Sequence, residues 1–494
     1  MVIRESRGSK KACIHSSSSS TDLPLFKSNT MSKVHILVFP YPAQGHILPL
    51  LDLTHHLALA GITITIIITP KNLPILTPLL SSHPNTIQTL VLPFPPHPKI
   101  PAAAENIREV GNAGNYPFIN ALSKLQPQII HWFTTHPNPP AALLSEFFLG
   151  WTQQLADQLT IPRIAFYSVA AFFTTVFTRC WHNSNEINNN NNSEIHFHGI
   201  PGTPSFKRDH LPSVFLRYRE SDPDAEFVKE SFLSNDAAWA CVFNTFHALE
   251  STYLDHIRAE LGHARVYAVG PLGSNRAENP SAGSEVLNWL DALEEEGSVL
   301  YVCFGSQKLL KKKQMEALAL GLERSQTRFV WVAPTPSEEQ MEEGYGSVPD
   351  GFVDRVSGRG VVVTGWVPQV AILSHRVVGG FLSHCGWNSV TEAMVSGVVI
   401  VGWPMEADQF LNARLLMEER GVAVRVCEGG DSVPDPDELG RVVKRVMSAE
   451  SPEKQRAKLM REEGVRAVSE GGDSSMEVDR LIEALLQLGD KQGR

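Results

Sequence analysis

The chain has 494 residues, of which 43% are hydrophobic and 19% charged, and its formal net charge is −10. This length exceeds what one hydrophobic core usually serves and predicts two domains, while the composition is that of an ordinary globular protein. The negative balance gives no support for the basic surface that nucleic-acid binding requires. We therefore expect a two-domain protein without a nucleic-acid partner.

The N-terminal stretch differs from everything that follows it. Residues 1–30 are Ser-rich and basic and contain no apolar core, so they do not form a signal peptide. Glu5 and Asp22 argue against a transit peptide, and we expect a disordered extension or a functional start at Met31. No apolar run reaches the roughly 18 residues of a transmembrane helix. The six cysteines are scattered along the chain, which favours reduced thiols in a cytoplasmic protein.

From residue 34 onward, short apolar runs alternate with a segment of helical periodicity at 47–60. The predicted strands of this first series are 34–39, 62–69, 89–94, 141–148 and 163–169. Such runs, rich in β-branched residues and almost wholly apolar, are typical of a parallel sheet covered by helices on both faces. They predict a first Rossmann-like domain over residues 31–270.

A polar stretch rich in Gly, Pro and Ser, residues 271–284, then predicts an interdomain linker. The alternation starts again with a helix at 312–325 and with strands at 298–306, 328–333, 360–366, 378–384 and 397–403. This second series predicts another Rossmann-like domain over residues 285–470, facing the first across a cleft. We expect residues 471–494 to form a C-terminal helix that packs back on the first domain.

The segment "GGFLSHCGWNSVTEA" begins as a buried strand and then becomes polar. His384 and Cys385 are neighbours, so on a strand their side chains point to opposite faces, which disfavours both a metal site and a nucleophile–base pair. An anion cradle fits better, because Asn388 and Ser389 can cap a helix whose N-terminus presents free N–H groups. Glu392 follows three residues after Ser389, so an ordinary capping box is the alternative.

Neither common nucleotide-binding fingerprint is present in the sequence. No G-x-G-x-x-G follows a strand, and no G-x-x-x-x-G-K-[ST] occurs. Both a dinucleotide-dependent dehydrogenase and a P-loop NTPase are therefore disfavoured.

The run "WVPQVAILSHRVVGGFLSHCGWNSVTEAMVSGVVIVGWPMEADQ", from Trp366 to Gln409, resembles the signature box of plant family 1 UDP-glycosyltransferases. The resemblance extends over about residues 31–490, including "FPYPAQGHILPLLDL" and "VCFGSQ". It is nearest to the subgroup that glycosylates phenolic acids and flavonols. It implies a monomer of the GT-B fold, which is an α/β fold of two doubly wound domains, with a UDP-sugar donor and a small hydroxylated aromatic acceptor. It implies neither a cofactor nor a metal.

By resemblance, successive parts of the UDP-sugar meet different residues of this box. Trp366 and the backbone of Val367 contact uracil, and Gln369 and Glu392 hold the ribose hydroxyls. The residues assigned to the diphosphate are Ser306, His384, Asn388 and Ser389, and Gly386, which permits the tight turn, is counted among the donor-binding residues. The residues assigned to the sugar are Trp387, Asp408 and Gln409.

The resemblance also implies a catalytic pair in the first domain. His46, in "PAQGHILP", corresponds to the general base, and its place at a helix N-terminus disfavours the imidazolium form. The family aspartate that orients this histidine is replaced by Glu146. The additional methylene can displace the carboxylate by about 1 Å, enough to affect orientation. Either the pocket absorbs this change, or activity is reduced, or the histidine acts more alone.

The implied reaction is a single inverting displacement, in which His46 takes the proton of the acceptor and UDP leaves. Five aromatic residues near the inferred cleft suit a flat phenolic acceptor, although at least half are expected in the core: Phe147, Phe148, Trp151, Phe172 and Phe173. Gln409 is the glucose-type residue of the family, with xylose, rhamnose and galactose as alternatives. A catalytically silent UDP-sugar-binding homologue is the rival hypothesis, motivated by Glu146.

Overall fold

We describe the fold from a computed structural model, which describes residues 2–3, 34–190, 192–273, 283–305 and 308–492. The predicted disordered extension lies outside these residues except for 2–3, and so does most of the predicted linker. Both remain predictions.

The described residues form strands that alternate with helices along the chain. The strands are β1 (Val2–Ile3), β2 (His35–Phe39), β3 (Thr63–Ile68), β4 (Ile87–Val91), β5 (Ala142–Glu146), β6 (Arg163–Tyr167), β7 (Glu194–His196), β8 (Ser205–Lys207), β9 (Ala240–Phe243), β10 (Val266–Ala268), β11 (Val299–Cys303), β12 (Arg328–Val332), β13 (Gly360–Val363), β14 (Val378–Ser383), β15 (Val399–Gly402) and β16 (Ala423–Arg425).

The helices cover both faces of the sheets. They are α1 (Gln44–Leu59), α2 (Thr77–Ser82), α3 (Asn115–Ser123), α4 (Gln126–Thr135), α5 (Thr152–Leu159), α6 (Ala171–His182), α7 (Ser184–Asn189), α8 (Ser213–Leu216), α9 (Pro223–Leu233), α10 (His247–Leu261), α11 (Ser284–Asp291), α12 (Lys312–Ser325), α13 (Glu338–Glu342), α14 (Phe352–Arg355), α15 (Gln369–Leu373), α16 (Trp387–Ser396), α17 (Gln409–Arg414), α18 (Pro436–Met447), α19 (Pro452–Val468) and α20 (Asp473–Gln492).

Two seven-stranded parallel sheets carry the fold. The first has the order β10-β9-β6-β5-β2-β3-β4 and the second the order β1-β13-β12-β11-β14-β15-β16. The direction of winding reverses between β2 and β5 in the first sheet and between β11 and β14 in the second. Ligands of doubly wound sheets bind beyond the carboxyl ends of the strands at such points. The architecture confirms the predicted α/β class with two Rossmann-like sheets.

Several element boundaries differ from the predictions for local physical reasons. β4 ends at Val91 instead of residue 94, because the chain then enters a proline-rich stretch whose prolines cannot donate to a sheet. β5 ends at Glu146, and Phe147–Leu149 form a turn of 3-10 helix instead of continuing the strand. Strands β9, β10 and β16 and the small antiparallel hairpin of β7 and β8 do not feature among the predictions.

Helix α20 joins the core of the first sheet. Leu481 and Leu485 are each 1% exposed and pack in one cluster with Ile36, Leu50 and Tyr267 of the first domain. The Ser474 hydroxyl donates a hydrogen bond to the Gly270 carbonyl at 2.5 Å. The end of the described chain therefore contacts the domain formed by its beginning.

Candidate active site

The two catalytic residues implied by the resemblance meet at the switch point of the first sheet. β2 and β5 are neighbouring parallel strands, with Phe39 opposite Ser145, so their carboxyl ends reach the same edge. Glu146 is the last residue of β5, and His46 lies in the first turn of α1, directly after β2. His46 Nδ1 is 2.7 Å from Glu146 Oε1. A histidine–carboxylate pair therefore forms, with glutamate as its acid.

The Glu146 carboxylate is fully buried. Its Oε1, which contacts His46, also accepts a hydrogen bond from the Ser168 hydroxyl at 2.9 Å. Its Oε2 accepts a hydrogen bond from the Phe148 backbone N–H at 2.8 Å. The longer side chain thus reaches His46 while it caps the short turn Phe147–Leu149. Ser168 is not singled out by the sequence analysis. The feature that could have identified Ser168 in the sequence is its position as a polar residue directly after strand β6. This strand pairs with β5, which carries Glu146.

Aromatic rings enclose the imidazole of His46, whose side chain is 20% exposed. Its ring centroid is 4.7 Å from that of Phe148, 5.4 Å from that of Tyr41 and 6.0 Å from that of Phe147. Burial raises the pKa of Tyr41 well above its ordinary value, and the charge of Glu146 acts in the same direction. Tyr41 therefore remains a neutral phenol, which donates to Asn115 Oδ1 at 2.5 Å.

The other aromatic residues considered for the acceptor belong to the core. Trp151 is 3% exposed and packs edge-on against Phe39. Phe172 is fully buried with its ring 4.6 Å from that of Tyr253, and Phe173 is 5% exposed. Of the five, only Phe147 and Phe148 contact the histidine.

On the donor side, β14 ends at Ser383 and α16 begins at Trp387. The turn between them places Cys385 at φ 66°, a left-handed conformation that is rare for a residue with a side chain. The Cys385 N–H is held by the Ser383 hydroxyl at 3.1 Å. The N-cap is Gly386, and no side chain caps this described helix. The predicted capping by Asn388 or Ser389 is therefore wrong, because the helix begins before either residue.

His384 fills the space between two glycines of this turn and of the loop after β11. A Cβ added to Gly386 would lie 2.6 Å from its Nε2, and one added to Gly305 would lie 3.1 Å from the ring. Burial lowers the pKa of His384 to about 4, and the charge of Lys308 acts in the same direction. The neutral ring keeps one donor and one acceptor nitrogen. Its Nδ1 has no hydrogen-bond partner among the described residues.

The residues assigned to the nucleoside also converge. Gln369 Nε2 donates to Glu392 Oε2 at 2.7 Å and to Ser389 Oγ at 3.2 Å. An amide and a carboxylate side by side suit a pair of ribose hydroxyls. Trp366 is 56% exposed, which leaves a ring face open to a base, whereas Val367 is buried.

Two residues at the start of α16 cross the cleft to the first domain. Asn388 Nδ2 donates to the Gly45 carbonyl at 2.9 Å, one residue before His46. The Trp387 indole N–H donates to the Asn244 carbonyl at 2.8 Å, and the Trp387 side chain is 3% exposed. The first turn of the donor-side helix and the turn that carries the histidine are thus in direct contact.

The remaining residues assigned to the sugar lie beside this contact. Asp408 Oδ2 accepts from Asn412 Nδ2 at 2.7 Å, and Gln409 Oε1 accepts the backbone N–H groups of residues 405 and 406 at 2.9 and 3.1 Å. Burial raises the pKa of Asp408, while the hydrogen bond from Asn412 and the charge of His46 oppose this shift. Asp408 therefore lies within electrostatic reach of the histidine across the cleft.

Ser306, assigned to the diphosphate, lies outside the described residues. In the part of the chain that the structure describes, no three His, Cys, Asp or Glu side chains form a group that could hold a metal ion. None of the described helices has the length and apolarity needed to cross a membrane.

Comparisons with known proteins show which proteins this chain resembles. Residues 266–460 match the family described as UDP-glucoronosyl and UDP-glucosyl transferase. "UDP-glycosyltransferase 89A2" of Arabidopsis thaliana is 51% identical over 93% of this chain and 97% of its own length. "Flavonol 3-O-glucosyltransferase UGT89B1" of the same plant is 46% identical over 94% of this chain and 98% of its own length.

Solved structures extend the similarity to three dimensions. The crystal structure of Arabidopsis thaliana UGT89C1 complexed with UDP-L-rhamnose is 33% identical, with a TM-score of 0.74 over 92% of this chain and 99% of that chain. The same protein complexed with quercetin has a TM-score of 0.75, with the same coverage. Because sequence, sheet topology and signature box agree along nearly the whole length, the chain belongs to the plant family 1 UDP-glycosyltransferases, enzymes that use a UDP-sugar donor.

Proposed function

We propose that this enzyme transfers glucose from UDP-glucose to a hydroxyl group of a flavonol or a related small phenolic compound, with inversion at the anomeric carbon and with His46 as the general base. The observation that carries this proposal is the position of the pair formed by the partly exposed His46 and the buried Glu146. It lies one residue from the backbone carbonyl that Asn388, in the first turn of α16, contacts across the cleft.

The hydrogen bond to Glu146 determines which nitrogen of His46 acts as the base. An ionised carboxylate only accepts hydrogen bonds, so the 2.7 Å contact assigns the ring proton to Nδ1. Nε2 is then the free acceptor nitrogen, which takes the proton of the acceptor hydroxyl as its oxygen attacks. Glu146 stabilises the imidazolium that results.

The displacement forms one bond and breaks another at the anomeric carbon. The acceptor oxygen bonds to this carbon on the face opposite the diphosphate, and the bond to the diphosphate oxygen breaks, so an α-linked donor gives a β-glycoside. The uncapped N-terminus of α16 and the polar groups of His384, Asn388 and Ser389 supply donors for the negative charge of the departing UDP. In this proposal the charge is neutralised without a metal ion or other cofactor.

Glucose is supported by Gln409 and by the name of the flavonol 3-O-glucosyltransferase relative. Because the Gln409 oxygen holds two backbone N–H groups, its amide N–H₂ is the part left to meet a sugar hydroxyl. UDP-L-rhamnose, present in the UGT89C1 structure, is the second candidate donor, and UDP-xylose is the third. For the acceptor, the Phe148 ring, which is 8% exposed and lies 4.7 Å from the His46 ring, supports a flat aromatic compound.

A matrix of purified enzyme with UDP-glucose, UDP-L-rhamnose and UDP-xylose against a flavonol such as quercetin and a hydroxybenzoic acid tests this proposal. We expect a mass increase of one hexose on the flavonol with UDP-glucose, giving a glycoside of β configuration by NMR. Product only with another sugar would overturn the donor assignment. Transfer only to the carboxyl group of the acid, with no product on a phenolic hydroxyl group, would overturn the acceptor assignment.

We further propose a cytoplasmic monomer. The five cysteines in the described residues are all free and four of them are buried, which is compatible with a reducing compartment. Size-exclusion chromatography with light scattering tests the oligomeric state, and a fluorescent fusion tests the location.

A further inference from the structure

Ser168 is the first residue after β6, and its hydroxyl lies against the catalytic pair. Its Oγ is 2.9 Å from Glu146 Oε1 and 3.1 Å from His46 Nδ1. The residue is only 4% exposed, so water has little access to this contact. Three polar side chains from three different segments therefore form a closed triangle.

The hydrogen atoms in this triangle can be assigned. A serine hydroxyl has one proton, which it donates to the Glu146 carboxylate, and its lone pairs then face the Nδ1–H of His46. Glu146 Oε1 receives two donors, and Oε2 receives the backbone N–H of Phe148. Both oxygens are thus held, so the plane of the carboxylate is fixed from two sides.

We propose that Ser168 is a positioning residue that fixes the Glu146 carboxylate and, through it, the ring of His46. The proposal rests on the catalytic role given above to the pair. Glutamate has one more rotatable bond than the aspartate of the family pattern, and that freedom lets the carboxylate turn away from the imidazole. The Ser168 hydroxyl removes this freedom, so it compensates for the longer side chain.

The backbone that carries Ser168 is itself firmly held. The chain passes from Ser168 into α6, where the N–H groups of Ala171 and Phe172 donate to the buried carboxylate of Glu250 at 3.0 and 2.8 Å. On the other side of Ser168, the Asn244 N–H donates to the Tyr167 carbonyl at 3.2 Å. Ser168 can therefore serve as a rigid reference point, which a hydroxyl on a mobile loop could not.

The test measures kcat and KM for the parent, Ser168→Ala and Ser168→Thr, with UDP-glucose and a good flavonol acceptor. We expect Ser168→Ala to lower kcat about tenfold, the loss of one hydrogen bond to a charged group, while the KM for the donor stays within about twofold. Ser168→Thr keeps the hydroxyl and should recover most of the rate. The control Thr175→Val removes another buried hydroxyl, which donates to the Ala171 carbonyl of its own helix, and should match the parent.

A double-mutant cycle separates positioning from a general structural effect. In a Glu146→Gln background, Ser168→Ala should change kcat less than about twofold, because the group that it positions is already impaired. Three outcomes would overturn the proposal. They are an equal loss of kcat in both backgrounds, an unchanged kcat in Ser168→Ala, and an effect confined to the KM for the donor. If Ser168→Ala fails to fold, the kcat of Ser168→Thr tests the proposal instead. A loss of kcat in Ser168→Thr as large as that in Glu146→Gln would contradict a role for the hydroxyl, because threonine retains it.

The same variants distinguish the role of Ser168 from the role of the catalytic pair. If Glu146→Gln lowers kcat but Ser168→Ala does not, only the role of Ser168 is refuted. If neither Glu146→Gln nor His46→Ala affects transfer, the catalytic pair itself is refuted.

Discussion

Replacing Glu146 by glutamine tests the chemistry of the pair most directly, because it removes the charge and leaves the shape almost unchanged. The carboxylate accepts hydrogen bonds from His46, Ser168 and the Phe148 backbone, and an amide cannot accept at both ends. With its oxygen towards His46, the amide N–H₂ meets the Phe148 N–H, donor against donor. Turned round, the N–H₂ faces Nδ1 and drives the ring proton to Nε2, where it blocks the base.

The size of the effect follows from these contacts. A hydrogen bond to a charged group contributes about 1.5–3 kcal/mol, which corresponds to roughly a tenfold to hundredfold loss of kcat in Glu146→Gln if it acts in the transition state. Glu146→Asp keeps the charge but withdraws it by about 1 Å, so its rate should lie above that of Glu146→Gln. We therefore expect kcat to be highest in the parent, lower in Glu146→Asp and lowest in Glu146→Gln.

Initial rates of glycoside formation by liquid chromatography, at saturating UDP-glucose and flavonol, give the three kcat values. UDP affinity by calorimetry should be unchanged in both variants, because the hydrogen bonds of Glu146 go to His46, Phe148 and Ser168, which all belong to the first domain. Glu230→Gln, on the exposed surface of α9, is the matched control and should equal the parent. A glutamine variant as active as the parent would refute the reasoning, because it would show that charge at this position has no role.

Three further predictions concern the base, metal ions and pH. His46→Ala should lower kcat about a hundredfold or more with UDP affinity retained, and equal turnover would exclude the residue as the base. Transfer should survive excess EDTA, because the proposed cradle neutralises the diphosphate through N–H and O–H donors; inactivation that Mg²⁺ reverses would contradict this. Burial raises the pKa of Glu250 from 4.5 to about 7, so its contribution to stability is complete below pH 4.5 and is lost as the pH rises to about 7. The unfolding free energy of Glu250→Gln relative to the parent should therefore increase by about 2.5 kcal/mol between pH 5 and pH 8, and parallel denaturation profiles would contradict it.

In the second domain, the local pattern of apolar residues predicts most of the strands and one helix but not the helix caps. The strands 378–383 and 399–402 and the helix 312–325 lie where the apolar periodicity predicts them, because buried parallel strands and amphipathic helices leave their period in the sequence. The predicted N-cap of α16 is two or three residues too late, since Gly386 caps the helix without a side chain. Cap positions depend on backbone geometry such as the left-handed Cys385, which residue types alone do not reveal.

The amino-acid sequence by itself determined the two-domain α/β class, the family and the identity of the candidate residues, because these are recorded in local periodicity and in a contiguous signature. Only the tertiary structure decided that the Glu146 carboxylate reaches His46, that the Ser168 hydroxyl lies against both of them, and that Asn388 meets Gly45. These contacts join residues 100, 122 and 343 positions apart. They arise because β2, β5 and β6 end at the same edge of the first sheet and the second domain faces that edge. Strand order and domain packing depend on interactions between distant parts of the chain, which no short stretch of sequence contains.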